Sequence, residues 1–149
     1  MKSLLFRRKY KFWIPTKPYS TSLIIDTVER IRENRKKTTM RSWKVGLGAT
    51  RIQLDYQPTY ILDFYISINQ IKKIKFGYLN EIQVINDLGL TSEEINQIKK
   101  HTTIEEFFYT GYITNFPKSK IQYGDTVYLV HFKTHKLLKS QKLTKWIGG

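Results

Sequence analysis

The spacing of apolar and polar residues changes along the chain and predicts both helices and strands. In residues 23–36, apolar side chains recur every three or four positions, which predicts an amphipathic helix with Glu29 and Arg30 on its outward face. The same spacing in residues 60–72, which follow Pro58, predicts a second helix. Residues 51–56 alternate polar with apolar and predict a short strand.

Capping signals predict further helices in the middle of the chain. Residues 79–88 precede Gly89, and glycine commonly closes a helix. Residues 91–94 (TSEE) and 103–106 (TIEE) both match a capping box, in which a threonine oxygen and a glutamate three positions on satisfy the first backbone N–H groups. The second box should open a turn or two through the aromatic residues 107–109. Part of this aromatic surplus is expected to contact a neighbouring protein.

The end of the chain has the character of a β-hairpin. Residues 126–133 are rich in β-branched and aromatic side chains, residues 134–136 resemble a tight connection, and residues 137–146 form the predicted second strand. The expected fold class is therefore α+β: a small mixed domain with central helices, a C-terminal β-hairpin and a basic N-terminal extension. We expect residues 1–22 to be a basic N-terminal arm and residues 23–149 a single compact α+β domain that includes the basic hairpin.

Length and composition favour a single folded domain and exclude several classes of protein. A length of 149 residues favours one domain, and 40% hydrophobic residues suffice for a core. The chain has no cysteine, which excludes a disulfide framework, a thiolate zinc site and a cysteine nucleophile. No apolar run approaches the roughly 20 residues of a membrane-spanning helix, so no transmembrane segment is expected.

Charge is the strongest functional signal, because it is unevenly distributed. The 26 Lys and Arg outnumber the 12 Asp and Glu, giving +14. Residues 1–51 carry 14 basic and 3 acidic side chains, residues 52–116 carry 5 and 8, and residues 117–149 carry 7 and 1. Two basic ends therefore flank a mildly acidic centre, which indicates an anionic partner for the ends. Part of the lysine excess is also what an AT-rich genome would encode, but codon bias does not explain the segregation.

The candidate nucleic-acid-binding residues come from these basic ends. Arg and Lys would neutralise phosphates, and exposed Trp side chains would stack on bases. The candidates are Arg7, Arg8, Lys9, Lys11, Trp13, Arg35, Lys36, Lys37, Arg41, Trp43, Lys44, Lys136, Lys139, Lys142 and Lys145. Alternative structural roles stay open, because cations complement the end of a helix and lysines protect edge strands from aggregation.

No catalytic, metal or cofactor site is expected. His131 and His135 have the four-residue spacing of zinc ligands on a helix, but they fall in a predicted strand and turn, where that spacing does not converge on one metal. No nucleophile elbow, kinase motif set or phosphate-binding glycine loop is present. We therefore expect a protein that is not an enzyme.

The leading functional prediction is a structural RNA-binding subunit of a ribonucleoprotein, with an organellar (mitochondrial) ribosomal protein as its most specific form. Its partners would be RNA, most simply rRNA, and neighbouring proteins of a large assembly. The alternative is an accessory structural subunit of a mitochondrial respiratory complex or another protein assembly, whose basic ends lie on acidic subunits or lipid head groups. A small metal-dependent nuclease is the third interpretation. The expected location is mitochondrial, otherwise cytoplasmic.

Overall fold

The fold, taken from a computed structural model, is α+β. The structure describes residues 2–16, 18–54, 59–137 and 143–147, with the stretches 59–62 and 143–147 described by their backbone alone. The strands are β1 (Lys2–Phe6), β2 (Lys9–Ile14), β3 (Thr21–Asp26), β4 (Thr38–Arg41), β5 (Gly48–Leu54), β6 (Thr59–Leu62), β7 (Phe64–Lys75), β8 (Thr126–Lys136) and β9 (Leu143–Ile147). The helices are α1 (Thr27–Arg32), α2 (Glu81–Leu88), α3 (Ser92–Lys99) and α4 (Ile104–Asn115), followed by a 3₁₀ turn at Pro117–Ser119.

A five-stranded sheet in the order β1, β5, β7, β8, β4 is the centre of the fold. β1 runs parallel to β5, and every other neighbouring pair is antiparallel. β2 and β3 form a separate antiparallel hairpin, and β6 pairs with β9.

The two faces of the sheet carry separate hydrophobic cores. Leu129 and Val130 are consecutive residues of β8 and therefore point to opposite faces. Leu129 belongs to core 1, which the sheet forms with α2, α3, α4 and the inner side of the β2–β3 hairpin. Val130 belongs to core 2, where α1 covers β1, β5 and the first half of β7.

The central sheet is strongly curled. In a flat sheet the outer two of five strands would lie about 19 Å apart, given roughly 4.8 Å between neighbours. Here Arg41, the last residue of edge strand β4, donates from Nη1 to the carbonyl oxygen of Leu5 in the opposite edge strand β1, at 2.8 Å. Its guanidinium also lies over the Phe6 ring, 4.7 Å from the centroid. The curl therefore brings the two edges within reach of one side chain.

Residues 1–22 differ from the predicted arm, because β1 and β2 belong to the fold. Leu4 and Phe6 are buried in core 2, and Phe12 and Ile14 are buried in core 1. The buried residues stand at alternate positions with the exposed Leu5 and Trp13 between them, which is the pattern of a half-buried strand.

Of two predicted helices, one is helical only in part and the other is formed by strands. Residues 23–36 contain the end of β3 and then only the short α1, and Arg30 is buried rather than outward. Residues 60–72 fall in β6 and β7. In β7 a bulge between Ile68 and Gln70 inserts one residue, so apolar positions there are three apart. This spacing imitates a helix.

The predicted C-terminal hairpin is also wrong. β8 continues through residues 134–136, which were expected to turn, and pairs with β7 and β4. The last strand, β9, pairs with β6 and not with β8. Residues 138–142 of the predicted second strand lie outside the described residues.

Predictions that depended on local signals are confirmed. The strand expected at 51–56 is β5, which begins at Gly48; residues 55 and 56 lie outside the description. α2 closes at Gly89, whose φ is +67°. Thr91 and Glu94 form the reciprocal capping box of α3. At the start of α4 only half of the predicted box is seen: the Thr103 hydroxyl accepts from the Glu106 backbone N–H, whereas the Glu106 carboxylate accepts from the Thr110 hydroxyl at 3.3 Å. α4 extends to Asn115 and is longer than expected.

Gly111 on α4 provides a test of how the β2–β3 hairpin packs. A Cβ at this position would lie 2.6 Å from Cε2 of the buried Phe12 ring. Alanine favours a helix over glycine by about 1 kcal/mol, whereas overpacking of a core costs roughly 1–3 kcal/mol. We expect Gly111→Ala to lower the free energy of unfolding in urea by about 1 kcal/mol. Thr110→Ala, at an exposed position of the same helix, is the control and should change it by no more than about 0.5 kcal/mol. Stabilisation by Gly111→Ala would contradict the close contact of Phe12 with α4.

Candidate nucleic-acid interface

The predicted binding residues have different degrees of exposure. Lys36 is buried, and Arg7, Arg35 and Arg41 are half-buried. The exposed candidates are Arg8, Lys9, Lys11, Trp13, Lys37, Trp43, Lys44 and Lys136. Lys139 and Lys142 lie outside the described residues, and only the backbone of Lys145, in β9, is described.

The outer side of the β2–β3 hairpin brings Lys9, Lys11 and Trp13 together. Alternation along β2 turns these three side chains outward, while Tyr10, Phe12 and Ile14 face core 1. The Trp13 side chain is 42% exposed, and Lys11 Nζ lies 5.5 Å from its ring centroid. We call the outward side chains of Lys9, Lys11 and Trp13 the hairpin face.

An acidic residue stands opposite Lys9. Asp26 pairs with Lys9 across the hairpin, and its carboxylate accepts from Arg30 Nε at 2.9 Å, but Arg30 also binds Glu94, so two carboxylates share one cation. Opposite Lys11 stands Ile24, which is 44% exposed, and opposite Trp13 stands Ser22. The hairpin face therefore combines two cations with an exposed indole.

Lys36 has a structural role instead of the predicted phosphate-binding one. Its Nζ donates to the backbone oxygens of Thr38, at 2.8 Å, and Asp87, at 2.6 Å, and lies 4.0 Å from the Asp87 carboxylate. Asp87 Oδ1 also accepts from the Thr38 hydroxyl at 3.0 Å. Burial lowers the pKa of Lys36 to about 8, although Asp87 opposes the shift. Burial likewise raises the pKa of Asp87, against the influence of Lys36.

The half-buried arginines connect elements of the fold. Arg35 Nη1 donates to Gly89 O at 3.3 Å, at the end of α2, and Arg35 Nε donates to the neighbouring Glu33 at 2.9 Å. The Arg7 guanidinium stands over the rings of Tyr10 and Phe116, 5.2 and 5.1 Å from their centroids, which links the chain after β1 to the end of α4. These contacts make both arginines poorer candidates for phosphate than the hairpin-face lysines.

Trp43 and Lys44 lie on the connection between β4 and β5. The Trp43 side chain is 54% exposed, and the Arg41 guanidinium lies 5.5 Å from its ring centroid. This stretch thus presents a second exposed indole beside a cation.

Lys37 lies on a groove of about 450 Å³ that the sequence analysis did not anticipate. Amides, lysines, a histidine and threonines form most of its lining, and none of its described lining residues is acidic. We call it the polar groove, and its principal side chains are Asn34, Lys37, Gln70, Asn86, His131 and Lys133.

Backbone geometry brings these side chains together from four parts of the chain. The bulge in β7 places Asn69 and Gln70 beside β8. The chain after α1 turns at Asn34, whose φ is +60°, a value that Asn tolerates better than most residues. It is then held in place because Lys37 N–H donates to Asn86 O at 2.9 Å and Phe132 N–H donates to Lys37 O at 3.1 Å.

His131 gives the polar groove a buried hydrogen-bonding atom. Its Nε2 is buried and has no hydrogen-bond partner among the described residues. Burial lowers the pKa of His131, Lys72 lowers it further, and Asp87 opposes both. The imidazole is therefore neutral near pH 7 and can accept or donate one hydrogen bond, depending on its tautomer.

Charge-based reasoning could not find most of the polar groove. Its carboxamide residues are uncharged: Asn34, Asn69, Gln70 and Asn86. In addition, no local sequence pattern marks the β7 bulge, because the apolar spacing around it resembles that of a helix. Lys133 was visible as a basic residue of the C-terminal segment but was not singled out.

None of the helices within the described residues is long and apolar enough to cross a membrane. In the same part of the chain, no group of three or more His, Cys, Asp or Glu side chains is placed to hold a metal ion. Comparison of the chain with protein-family models, with curated proteins and with solved structures finds no match in any of the three.

The structural role of Lys36 can be tested with a double-mutant cycle. Lys36→Met leaves the Asp87 carboxylate buried without its cation, and breaking a buried pair in this way costs about 3–5 kcal/mol. We expect Lys36→Met/Asp87→Asn to lose clearly less than the sum of the two single variants, with a coupling of at least about 1 kcal/mol in urea unfolding. Additive losses would mean that the two side chains act independently.

Proposed function

We propose that this protein is a structural RNA-binding subunit of a ribonucleoprotein, and that the polar groove and the hairpin face contact the RNA. This proposal rests on the polar groove, which combines two lysines, four carboxamide residues and a buried histidine nitrogen that has no hydrogen-bond partner among the described residues, with no described acidic residue in its lining. A mitochondrial ribosome remains the particular assembly predicted from composition.

The groups in the polar groove match the chemistry of single-stranded RNA. Lys37 and Lys133 supply point charges for phosphates. Carboxamides offer a donor and an acceptor side by side, which is what the edge of an unpaired base presents. Sequence-specific RNA-binding proteins most often recognise single-stranded loops and bases that are splayed out of a helix.

The hairpin face adds a sequence-independent contact. Exposed aromatic rings stack on bases of any identity, at about 1–3 kcal/mol per base. Trp13 has an open ring beside Lys11, so one residue can stack on a base while the other contacts the adjoining phosphate. Such a surface suits binding that does not depend on sequence.

A protein partner is the rival occupant of these surfaces. Exposed apolar residues, including Ile24 (44% exposed), Trp43 (54%) and Leu47 (57%), could also contact another subunit. The absence of acidic residues from the described lining of the polar groove favours a polyanion, and the experiment below distinguishes the two.

RNA binding should be measured across a salt titration with a single-stranded oligonucleotide. Each phosphate contact contributes roughly 0.7 to the slope of log K against log salt. We expect Lys37→Ala/Lys133→Ala and Lys9→Ala/Lys11→Ala each to flatten the slope by about 1.4. The control is Lys100→Ala/Lys118→Ala, which removes two exposed lysines outside both surfaces and should leave the slope unchanged.

Base recognition predicts a different signature from phosphate contact. Gln70→Ala and Asn86→Ala should weaken binding of preferred sequences several-fold while the salt slope stays the same. Absent RNA binding, or equal effects of the control and the groove variants, would overturn the proposal; binding of an acidic protein instead would support the accessory-subunit alternative.

A further inference from the structure

A second cavity, of about 350 Å³, lies between the inner side of the β2–β3 hairpin, the end of β4 and α4. Aromatic rings make up much of its wall, with Trp43 among its lining residues. We call it the aromatic cavity, and its rings are those of Tyr10, Phe12, Trp43, Phe108, Tyr112 and Phe116. Its volume is at the lower end of the range for small-molecule sites, about 300–1,000 Å³.

Arg41 contributes a cationic guanidinium to the lining of this cavity. Its Nη1 donates to Leu5 O, but its Nε is buried and has no hydrogen-bond partner in the described residues. A buried N–H without an acceptor costs free energy comparable to a lost hydrogen bond. Burial also lowers the pKa of Arg41, although Tyr10 and Tyr112 oppose the shift. An anion in the cavity would offset the cost of withdrawing the guanidinium charge from water.

The other titratable groups around the aromatic cavity leave it cationic. Lys36 and Asp87 are hydrogen-bonded within their own cluster with Thr38. Burial raises the pKa of Tyr112 to about 12, so its hydroxyl stays neutral and can donate. Arg7 adds a second positive charge to the lining.

We propose that the aromatic cavity binds a single nucleotide, with its base among the aromatic rings and its phosphate at Arg41. Flat rings in the wall favour a planar ligand, because offset stacking adds to simple burial. A guanidinium favours phosphate, since its N–H groups match the phosphate oxygens. Ser119, in the turn that follows α4, is an exposed hydroxyl residue of the lining; its hydroxyl donates to Phe116 O at 2.7 Å and can still accept a hydrogen bond from the polar edge of a base.

The nucleotide could come from two sources that share this chemistry. One source is a splayed nucleotide of a bound RNA, and this interpretation rests on the proposed function. The other source is a free nucleoside monophosphate, and this interpretation does not depend on the proposed function. Competition by an RNA oligonucleotide for the cavity distinguishes the two.

The test is calorimetric titration with AMP, GMP, CMP and UMP, alongside the nucleosides and inorganic phosphate. At least one monophosphate should bind at least tenfold more tightly than its nucleoside and than phosphate. Ser119→Trp places a large ring on the lining from an exposed turn and should reduce binding at least tenfold. Gln122→Trp, an exposed residue that does not line the cavity, is the matched control and should leave binding unchanged.

Arg41→Gln tests the phosphate contact separately. It should remove the tenfold advantage of the monophosphate while the nucleoside binds as before, and unfolding measurements verify that the variant folds. Ser119→Trp does not depend on Arg41, so it tests the site even if Arg41→Gln fails to fold.

The outcomes separate this proposal from the proposed function. RNA binding without any monophosphate binding, or monophosphate binding that Ser119→Trp leaves intact, overturns the cavity proposal only. Monophosphate binding without RNA binding supports the cavity and overturns the proposed function. A fatty acid or another aliphatic carboxylate that binds as tightly as the monophosphate overturns the assignment of a nucleotide.

Discussion

The buried guanidinium of Arg30 joins the two cores, and the arrangement of the helices depends on it. Its side chain is only 4% exposed, yet five hydrogen bonds use its full donor capacity. They run to both Glu94 carboxylate oxygens (2.7 and 2.6 Å), to Asp26 (2.9 Å) and to the backbone oxygens of Gly89 (3.0 Å) and Ile24 (3.3 Å). Burial alone would lower the pKa of Arg30, but the ion pairs with Glu94 and Asp26 outweigh it and raise the pKa. One residue of α1, which covers core 2, thereby fixes the end of α2 and the start of α3, which cover core 1.

Arg41 differs from Arg30 because not all of its N–H donors have hydrogen-bond partners among the described residues. Both arginines are withdrawn from solvent, but Arg30 meets two carboxylates, whereas Arg41 meets one carbonyl oxygen and two aromatic rings. A fully satisfied buried charge is a structural element, since removing a partner would strand the other charge. A partly satisfied one stores a penalty that a ligand can remove. The same distinction applies to His131, whose buried ring nitrogen faces no described partner in the polar groove.

Local chemistry could be predicted from the sequence, and long-range pairing could not. Gly89, Thr91 and Thr103 act within one helical turn, so the boundaries they mark were found. β7 was mistaken for a helix because its bulge, which exists only through pairing with β8, spaces apolar residues three apart. The N-terminal strands were interpreted as a basic arm because of the lysines within them and the two arginines between them, although the alternation around Leu4 and Phe12 was present. Among the site residues, the hairpin-face lysines were predicted, while Asn34, Gln70 and Asn86 meet only in the folded chain.

The fold also changes how the net charge should be understood. Along the chain the basic ends flank an acidic middle, but in the structure most acidic residues of that middle belong to helices and three of its lysines belong to a strand. Asp87 and Glu94 lie against the buried Lys36 and Arg30, respectively, so two of the acidic charges stabilise the interior.

The exposed charges of the middle segment are distributed differently. Three lysines remain exposed on β7, the strand whose bulge also forms part of the polar groove: Lys72, Lys73 and Lys75. Exposed charge therefore differs from element to element: β7 presents three lysines, whereas α3 presents both Glu93 and Lys99 and α4 presents Glu106. The net charge of +14 thus describes the whole chain and not any one of its surfaces.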